Sequence, residues 1–180
     1  MLTRGKVLVG FGANHPGPWG TPTQTITHAM SELERVARVE EVSAFYATAA
    51  VGRARQPVYV NAVALIDTRL PPEAFLRVLK DIERCAGRRG GRPWGQRTLD
   101  IDIIDYKGLV KRWRDGESRF ARPGARPLVL PHPLMHERPF VLRPLLDIAP
   151  NWRHPVLGRS AQQLWRQVAK HGQGEVFERL

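Results

Sequence analysis

The order in which two hydrophobic periods alternate along these 180 residues constrains the fold more than any other feature. Lys6 to Phe11, "KVLVGF", is a short apolar run ending in the Gly/Pro-rich "GANHPGPWGTP", which reads as a buried strand entering a connection. Thr21-Pro22-Thr23-Gln24 then offers an N-cap hydroxyl, a proline at the first helical position and a glutamine at the third. Ile26, Met30, Leu33 and Val36 or Ala37 fall on one face of the helix that follows. Val39 to Ala47 and "VYVNAVALID" (Val58 to Asp67) alternate with period two and are rich in β-branched and aromatic residues, so they read as paired strands. Pro71-Pro72-Glu73 opens a second helix, with Phe75, Leu76, Val78, Leu79 and Ile82 inward and Gly87 as its C-terminal cap. The strand "LDIDII" comes next. This β-α-β-β-α-β order is the split pattern of a ferredoxin-like α+β sandwich, with a helical layer on one face of an antiparallel sheet. C-terminal helices are additions to that unit; Ser160 caps one, with Ala161, Leu164, Trp165 and Val168 on one face.

A chain of 180 residues with 42% hydrophobic content suits one domain, residues 1–180. No apolar run approaches the roughly 20 residues of a membrane span, and "MLTRGKVLVGFG" lacks the pattern of a cleaved leader, so a cytoplasmic protein without a membrane partner is expected. The single cysteine, Cys85, can form no internal disulfide and has no companions for a zinc cluster; its apolar surroundings suggest a core residue. The net charge of +11 is compatible with an anionic partner, nucleotide or nucleic acid, and equally with a generally arginine-rich composition. Residues 107–126 hold seven basic and two acidic residues with little apolar periodicity, and read as a solvated surface loop or hairpin.

Chemistry concentrates in "RPWGQRTLDIDIIDY". Side chains alternate along a strand, so Asp100 and Asp102 project to one side, about 7 Å apart, while Leu99, Ile101 and Ile103 project to the other. Asp105, at odd spacing, is expected to turn away from the pair. Asp is disfavoured in strands, and two carboxylates on one face suit Mg²⁺, which completes its octahedron with water and phosphate oxygens. Alone, the D-x-D would read as a solvated sheet face. Arg88, Arg89, Arg92 and Arg97 just upstream, in a segment with glycines at 87, 90, 91 and 95, turn it into equipment for phosphoryl transfer: a cationic lid beside a metal-binding pair.

Downstream, "LPHPLMHERPFVLRPL" supplies His132, His136, Arg138 and Arg143. His132 could bind a phosphate oxygen, whereas Pro133 and the lack of H-E-x-x-H argue against zinc. Tyr59 and Asn61 share a strand face and would suit a flat heterocycle with amide-like edges. No G-x-x-x-x-G-K-[ST] occurs, so any ATP must be held by side-chain cations and metal rather than by a P-loop, and Gly10-x-Gly12 is too short for a dinucleotide fingerprint.

"GFGAN", "FYATAAVG" followed by "QPVYVNAVAL", "WGQRTLDIDII" and "LPHPLMHERPFVLRPLLDIAP" occur in the order found in the 6-hydroxymethyl-7,8-dihydropterin pyrophosphokinases of folate biosynthesis, and the chain resembles that family over nearly its whole length. The resemblance implies transfer of the β,γ-diphosphate of MgATP to the pterin hydroxymethyl group, with release of AMP. It implies that Asp100 and Asp102 hold two Mg²⁺ ions, and that Arg88 and Arg97 engage the ATP phosphates as the lid closes. His132 and Arg138 would bind the triphosphate, and Trp94 and Ile103 would border the nucleotide. The pterin would stack between Tyr59 and Phe140, with Asn61 reading its edge and Thr48, Ala49 and Val51 lining the loop. The family's usual G-S-N stands here as Gly12-Ala13-Asn14, and the pterin loop as "ATAAVG". The substrates implied are small molecules bound by a monomer. An RNA-binding ferredoxin-like domain shares the strand order and basic charge, but its aromatic-rich RNP1 strand is absent. A relative specialised for a different pterin, or an inactive binding module, is the remaining alternative.

Overall fold

The structure, a computed structural model, describes residues 5–49, 57–88, 97–113, 127–169 and 176–180. Val51, Arg89, Arg92, Trp94 and most of the basic 107–126 segment lie outside them. Its elements run β1 (Val7–Ala13), α1 (Pro22–Leu33), β2 (Arg38–Val42), β3 (Tyr46–Thr48), β4 (Tyr59–Asp67), α2 (Pro72–Cys85), β5 (Asp100–Tyr106), α3 (Pro139–Ile148), α4 (Ala161–Val168) and β6 (Val176–Arg179). The sheet is antiparallel throughout in the order β5-β1-β4-β3-β6, with β2 also on β4. Its core is the expected β-α-β-β-α-β arrangement. The expected strand from Val39 to Ala47 is broken into β2 and β3, and Ser43 bridges the break by exchanging hydrogen bonds with Val63: Oγ accepts from the Val63 N–H at 2.9 Å, and its own N–H donates to the Val63 carbonyl at 2.9 Å.

Helices α1 and α2 cover the first face. Thr21 and Gln24 form the reciprocal capping box read from the sequence, and Ile26, Ala29 and Leu33 are buried with Phe75, Leu79 and Ile82 against Val7, Val9, Phe11, Ile101 and Ile103. The inward stripe of α2 is turned further than the sequence pattern suggests: Glu83 is buried and Cys85, expected in the core, is exposed. A helix that buries positions 79, 82, 83 and 86 turns position 85 outward.

The second face is covered as well, by α3 and α4, whose Leu142, Leu145, Ala161 and Leu164 pack on Leu8, Val63, Leu65 and Ile104. A β-bulge between β1 and β5 matters here: Leu8 pairs with Asp105 and Val9 with Ile103, so Ile104 has no partner of its own. Ile104 and Asp105 consequently both turn to the second face. This corrects the odd-spacing expectation for Asp105, which is buried and accepts hydrogen bonds from Trp152 Nε1 at 2.9 Å and from the Gly108 N–H at 3.2 Å. β6, not foreseen from the sequence, pairs with β3. Among the described residues no helix is long and apolar enough to cross a membrane.

Trp152→Phe keeps most of the apolar ring and leaves the buried Asp105 carboxylate without its main donor. It should cost about 1–3 kcal/mol in equilibrium urea unfolding; an unchanged midpoint would show that this bond does not hold α3's end to the sheet.

Candidate active site

Helices α3 and α4 leave part of the second face open, and a cavity of about 650 Å³ sits there. Its floor is β1, where Gly10 lies opposite Asp102 on one side and Gly12 lies opposite Asp100 on that side and Asn61 on the other. Added side chains would crowd this floor: a Cβ on Gly10 would lie 3.3 Å from Ile104 Cδ1, and one on Gly12 would lie 3.0 Å from Asn61 Oδ1. The two glycines thus open a trough between the carboxylates of β5 and the polar groups of β4.

The two carboxylates share this face, as the strand period requires, but their partners differ. Asp100 is held at both oxygens, Oδ1 by Arg88 Nη1 at 2.5 Å and Oδ2 by Arg97. Asp102 has Lys80 Nζ 3.9 Å from Oδ1 and His132 Nε2 3.9 Å from Oδ2, too far for hydrogen bonds, and its side chain is 42% exposed. Burial acts to raise the pKa of Asp102, but His132, Lys80, Arg138 and Arg97 outweigh it and bring it down to about 2. Hard, ionised oxygen donors at the mouth of a cavity fit Mg²⁺, with the remaining ligands coming from water or phosphate.

His132 is tied to β5 by its N–H, which donates to the Ile104 carbonyl at 2.8 Å. Its Nδ1 accepts from the Leu134 N–H at 3.1 Å, so the neutral ring carries its proton on Nε2, facing Asp102. Burial, with help from Arg138, lowers its pKa to about 4 against the pull of Asp102 and Asp100. Arg138 stands at the N-cap of α3 with its guanidinium 5.5 Å from the Phe140 ring centroid, and both residues line the cavity. A helix N-terminus and a guanidinium together favour an anion.

Asn14 fixes the segment that carries Arg97. Its Oδ1 accepts from the Arg97 N–H at 2.8 Å, and its own N–H donates to the Arg97 carbonyl at 3.0 Å. On β4, Asn61 Nδ2 donates to Thr48 Oγ1 at 2.7 Å in a buried pair, and Tyr59, Thr48, Ala49 and Phe140 complete that end of the cavity.

The profile of the 7,8-dihydro-6-hydroxymethylpterin-pyrophosphokinase (HPPK) family matches residues 8–150. The chain belongs to the HPPK family. It is 38% identical to a 2-amino-4-hydroxy-6-hydroxymethyldihydropteridine pyrophosphokinase of Synechocystis, over 89% of this chain and 75% of that protein. It is 40% identical to the protein of the same name from Methylorubrum extorquens, over 81% of this chain and 84% of that one. Among solved structures, a Plasmodium falciparum HPPK-DHPS chain with pteroate matches with a TM-score of 0.69 over 92% of this chain at 12% identity, a likeness of fold. This chain spans 44% of that longer one.

The HPPK fold brings Arg97, Asp100, Asp102, His132, Arg138, Tyr59, Asn61, Thr48, Ala49 and Phe140 to one cavity, and Arg88 reaches it through Asp100. Ile103 does not share it: its side chain is buried under α1 and α2, and the neighbouring Ile104 lines the cavity instead. Any contact of Ile103 with a nucleotide would therefore use its backbone. Trp94 and Val51 lie outside the described residues. Lys80 and Glu83 were not singled out by the sequence, and Gly10, Gly12 and Asn14 were noted there only as motif residues, without a role. Only Gly10-x-Gly12, period two inside a strand, carried a signal.

The pKa of His132, and that of His154, lowered to about 4 by burial and His136, sets an acid limit. An unfolded histidine takes a proton near pH 6.5 that these buried rings refuse, so stability is full above pH 6.5 and falls as pH drops toward 4. Ring resonances in the ligand-free protein should titrate near pH 4; midpoints near 6.5 would contradict the burial.

Proposed function

We propose that this chain transfers the β,γ-diphosphate of MgATP to the hydroxymethyl oxygen of 6-hydroxymethyl-7,8-dihydropterin, giving AMP and the pterin diphosphate. The observation that carries this reading is the placement of Asp100 and Asp102 across a side-chain-free floor from Asn61 and Thr48, with Arg97, His132 and Arg138 around the same cavity. The names of the relatives, each a pyrophosphokinase of this pterin, support it. The chain would act as one pyrophosphokinase domain, a cytoplasmic monomer on small-molecule substrates with no nucleic acid or membrane partner.

In the reaction the pterin hydroxyl oxygen forms a bond to the β-phosphorus, the bond from that phosphorus to the oxygen leading to the α-phosphate breaks, and the hydroxyl proton is lost. Such a transfer needs in-line positioning and charge neutralisation more than covalent help. Asp100 and Asp102 would hold Mg²⁺, two ions in the family's reaction, which when bound neutralises and aligns phosphate oxygens. Arg138 and the Nε2–H of His132 would meet the triphosphate. Asn61 would read the pterin edge, its amide fixed by Thr48, between Tyr59 and Phe140.

Asp100 can bind a cation only after its arginines let go. Arg97 would turn to the triphosphate, while Arg88 keeps a second partner in Glu83. Arg97→Ala should therefore bind Mn²⁺ severalfold more tightly than wild type in the absence of nucleotide, by electron paramagnetic resonance, yet lose about a hundredfold or more in turnover. Unchanged metal affinity would sink the exchange.

Incubation with MgATP and the pterin should yield AMP. Asp100→Ala and Asp102→Ala should each lower that rate by about two orders of magnitude or more. Near-normal AMP release by both would remove the metal assignment, and no AMP with salt-sensitive RNA binding would reverse the reading.

A further inference from the structure

Among the described residues β5 is the last strand in the sheet order, so its backbone has one side without a strand partner. At Ile101, between the two cavity carboxylates, two side chains of α2 take the place of the missing strand. Glu83 Oε1 accepts from the Ile101 N–H at 2.6 Å, and Lys80 Nζ donates to the Ile101 carbonyl at 2.9 Å. Lys80 also donates to Glu83 Oε1 at 2.7 Å, which closes the set into a ring. On the inner side, β1 pairs Gly12 with Asp100 and Gly10 with Asp102. The backbone that carries the carboxylates is therefore gripped from both sides.

We propose that Lys80 is a positioning residue for the Asp100–Asp102 pair, acting through the Ile101 carbonyl and through Glu83 rather than by touching substrate. A metal-dependent transfer tolerates only small displacements of its ligands, and a strand edge open to water is where displacement is easiest. Glu83 alone would not do: it is buried, and burial pushes its pKa up, with Asp100 adding to that push. Lys80 opposes that shift, and its ammonium on Oε1 favours the charged form of Glu83 as acceptor for the Ile101 N–H. Lys80 is itself 40% exposed at its side chain, so it stands at the rim and not in the core.

The inference rests on the pyrophosphokinase reading for its kinetic consequence, but not for its structural one. Lys80→Met keeps the apolar stem and removes the ammonium; Lys80→Arg keeps a cation and donors. In Lys80→Met, kcat should fall about tenfold with both substrate KM values within about twofold, because the loss is in alignment and not in binding. The Ile101 amide should exchange with deuterium severalfold faster in the ligand-free protein, as its acceptor loosens. Lys80→Arg should recover most of both effects.

Unchanged kcat and unchanged exchange in Lys80→Met would overturn the proposal. So would a fall in kcat with unchanged Ile101 exchange, which would make Lys80 a direct ligand of the phosphates instead. If the wild-type chain forms no AMP, the function assigned above fails, and the exchange comparison still decides whether Lys80 braces β5. Circular dichroism checks that each variant is folded before either measurement.

Discussion

The cavity depends on one buried carboxylate, Glu83, at the C-terminal end of α2. An ion at 2% exposure is costly unless its oxygens find donors, and unpaired it would destabilise the fold by several kcal/mol. Here Oε1 receives the Ile101 N–H and Lys80, and Oε2 meets Arg88. One group thus joins the helix, β5 and Arg88, and the Arg88 N–H donates back to the Glu83 carbonyl at 3.0 Å. The geometry around Asp100 and Arg88 follows from satisfying that carboxylate.

β1 plays the complementary part from the centre of the sheet. Its two faces have opposite tasks: Val7, Val9 and Phe11 fill the core beneath α1 and α2, while Gly10 and Gly12 carry nothing into the cavity. Glycine in a strand interior weakens it, and here the space it leaves is the purpose. Side chains on β1 would separate the carboxylates of β5 from Asn61 on β4, and at Gly12 would press on the very amide that Thr48 holds. The strand passes directly into Asn14, which pins Arg97 through its backbone. A single run from Gly10 to Asn14 therefore sets the floor and anchors Arg97.

Much of this was legible in the sequence because period and capping are local. The helix at Thr21, the pairing of β4 and the shared face of Asp100 and Asp102 all follow from spacings within a few residues. What escaped is non-local. The bulge that turns Asp105 inward depends on how β1 registers against β5, and no spacing within "LDIDIID" reveals it. Glu83 sits at a position where polarity argues for solvent; only the open edge of a strand eighteen residues later gives it reason to be buried. Cys85 went wrong for the same reason, since a stripe that takes in Glu83 leaves Cys85 outside. β6 pairs with a strand far earlier in the chain and carries too short a pattern to announce itself.

The charge of the cavity explains why its parts can coexist before any ligand arrives. Asp100, Asp102 and Glu83 are answered by Lys80, Arg88, Arg97 and Arg138, while His132 remains neutral at ordinary pH. Carboxylates about 7 Å apart on one strand face would otherwise repel, and the cations around Asp102 keep it ionised well into acid. In the proposed reaction an incoming polyphosphate with its metal would swap like for like. On the proposed reading the guanidinium of Arg97 would leave a carboxylate for a phosphate, and the carboxylate would receive a cation in return. Because each ion trades one partner of opposite sign for another, none has to stand desolvated and alone during the exchange, which is the condition under which a buried charged site can be remade at low cost.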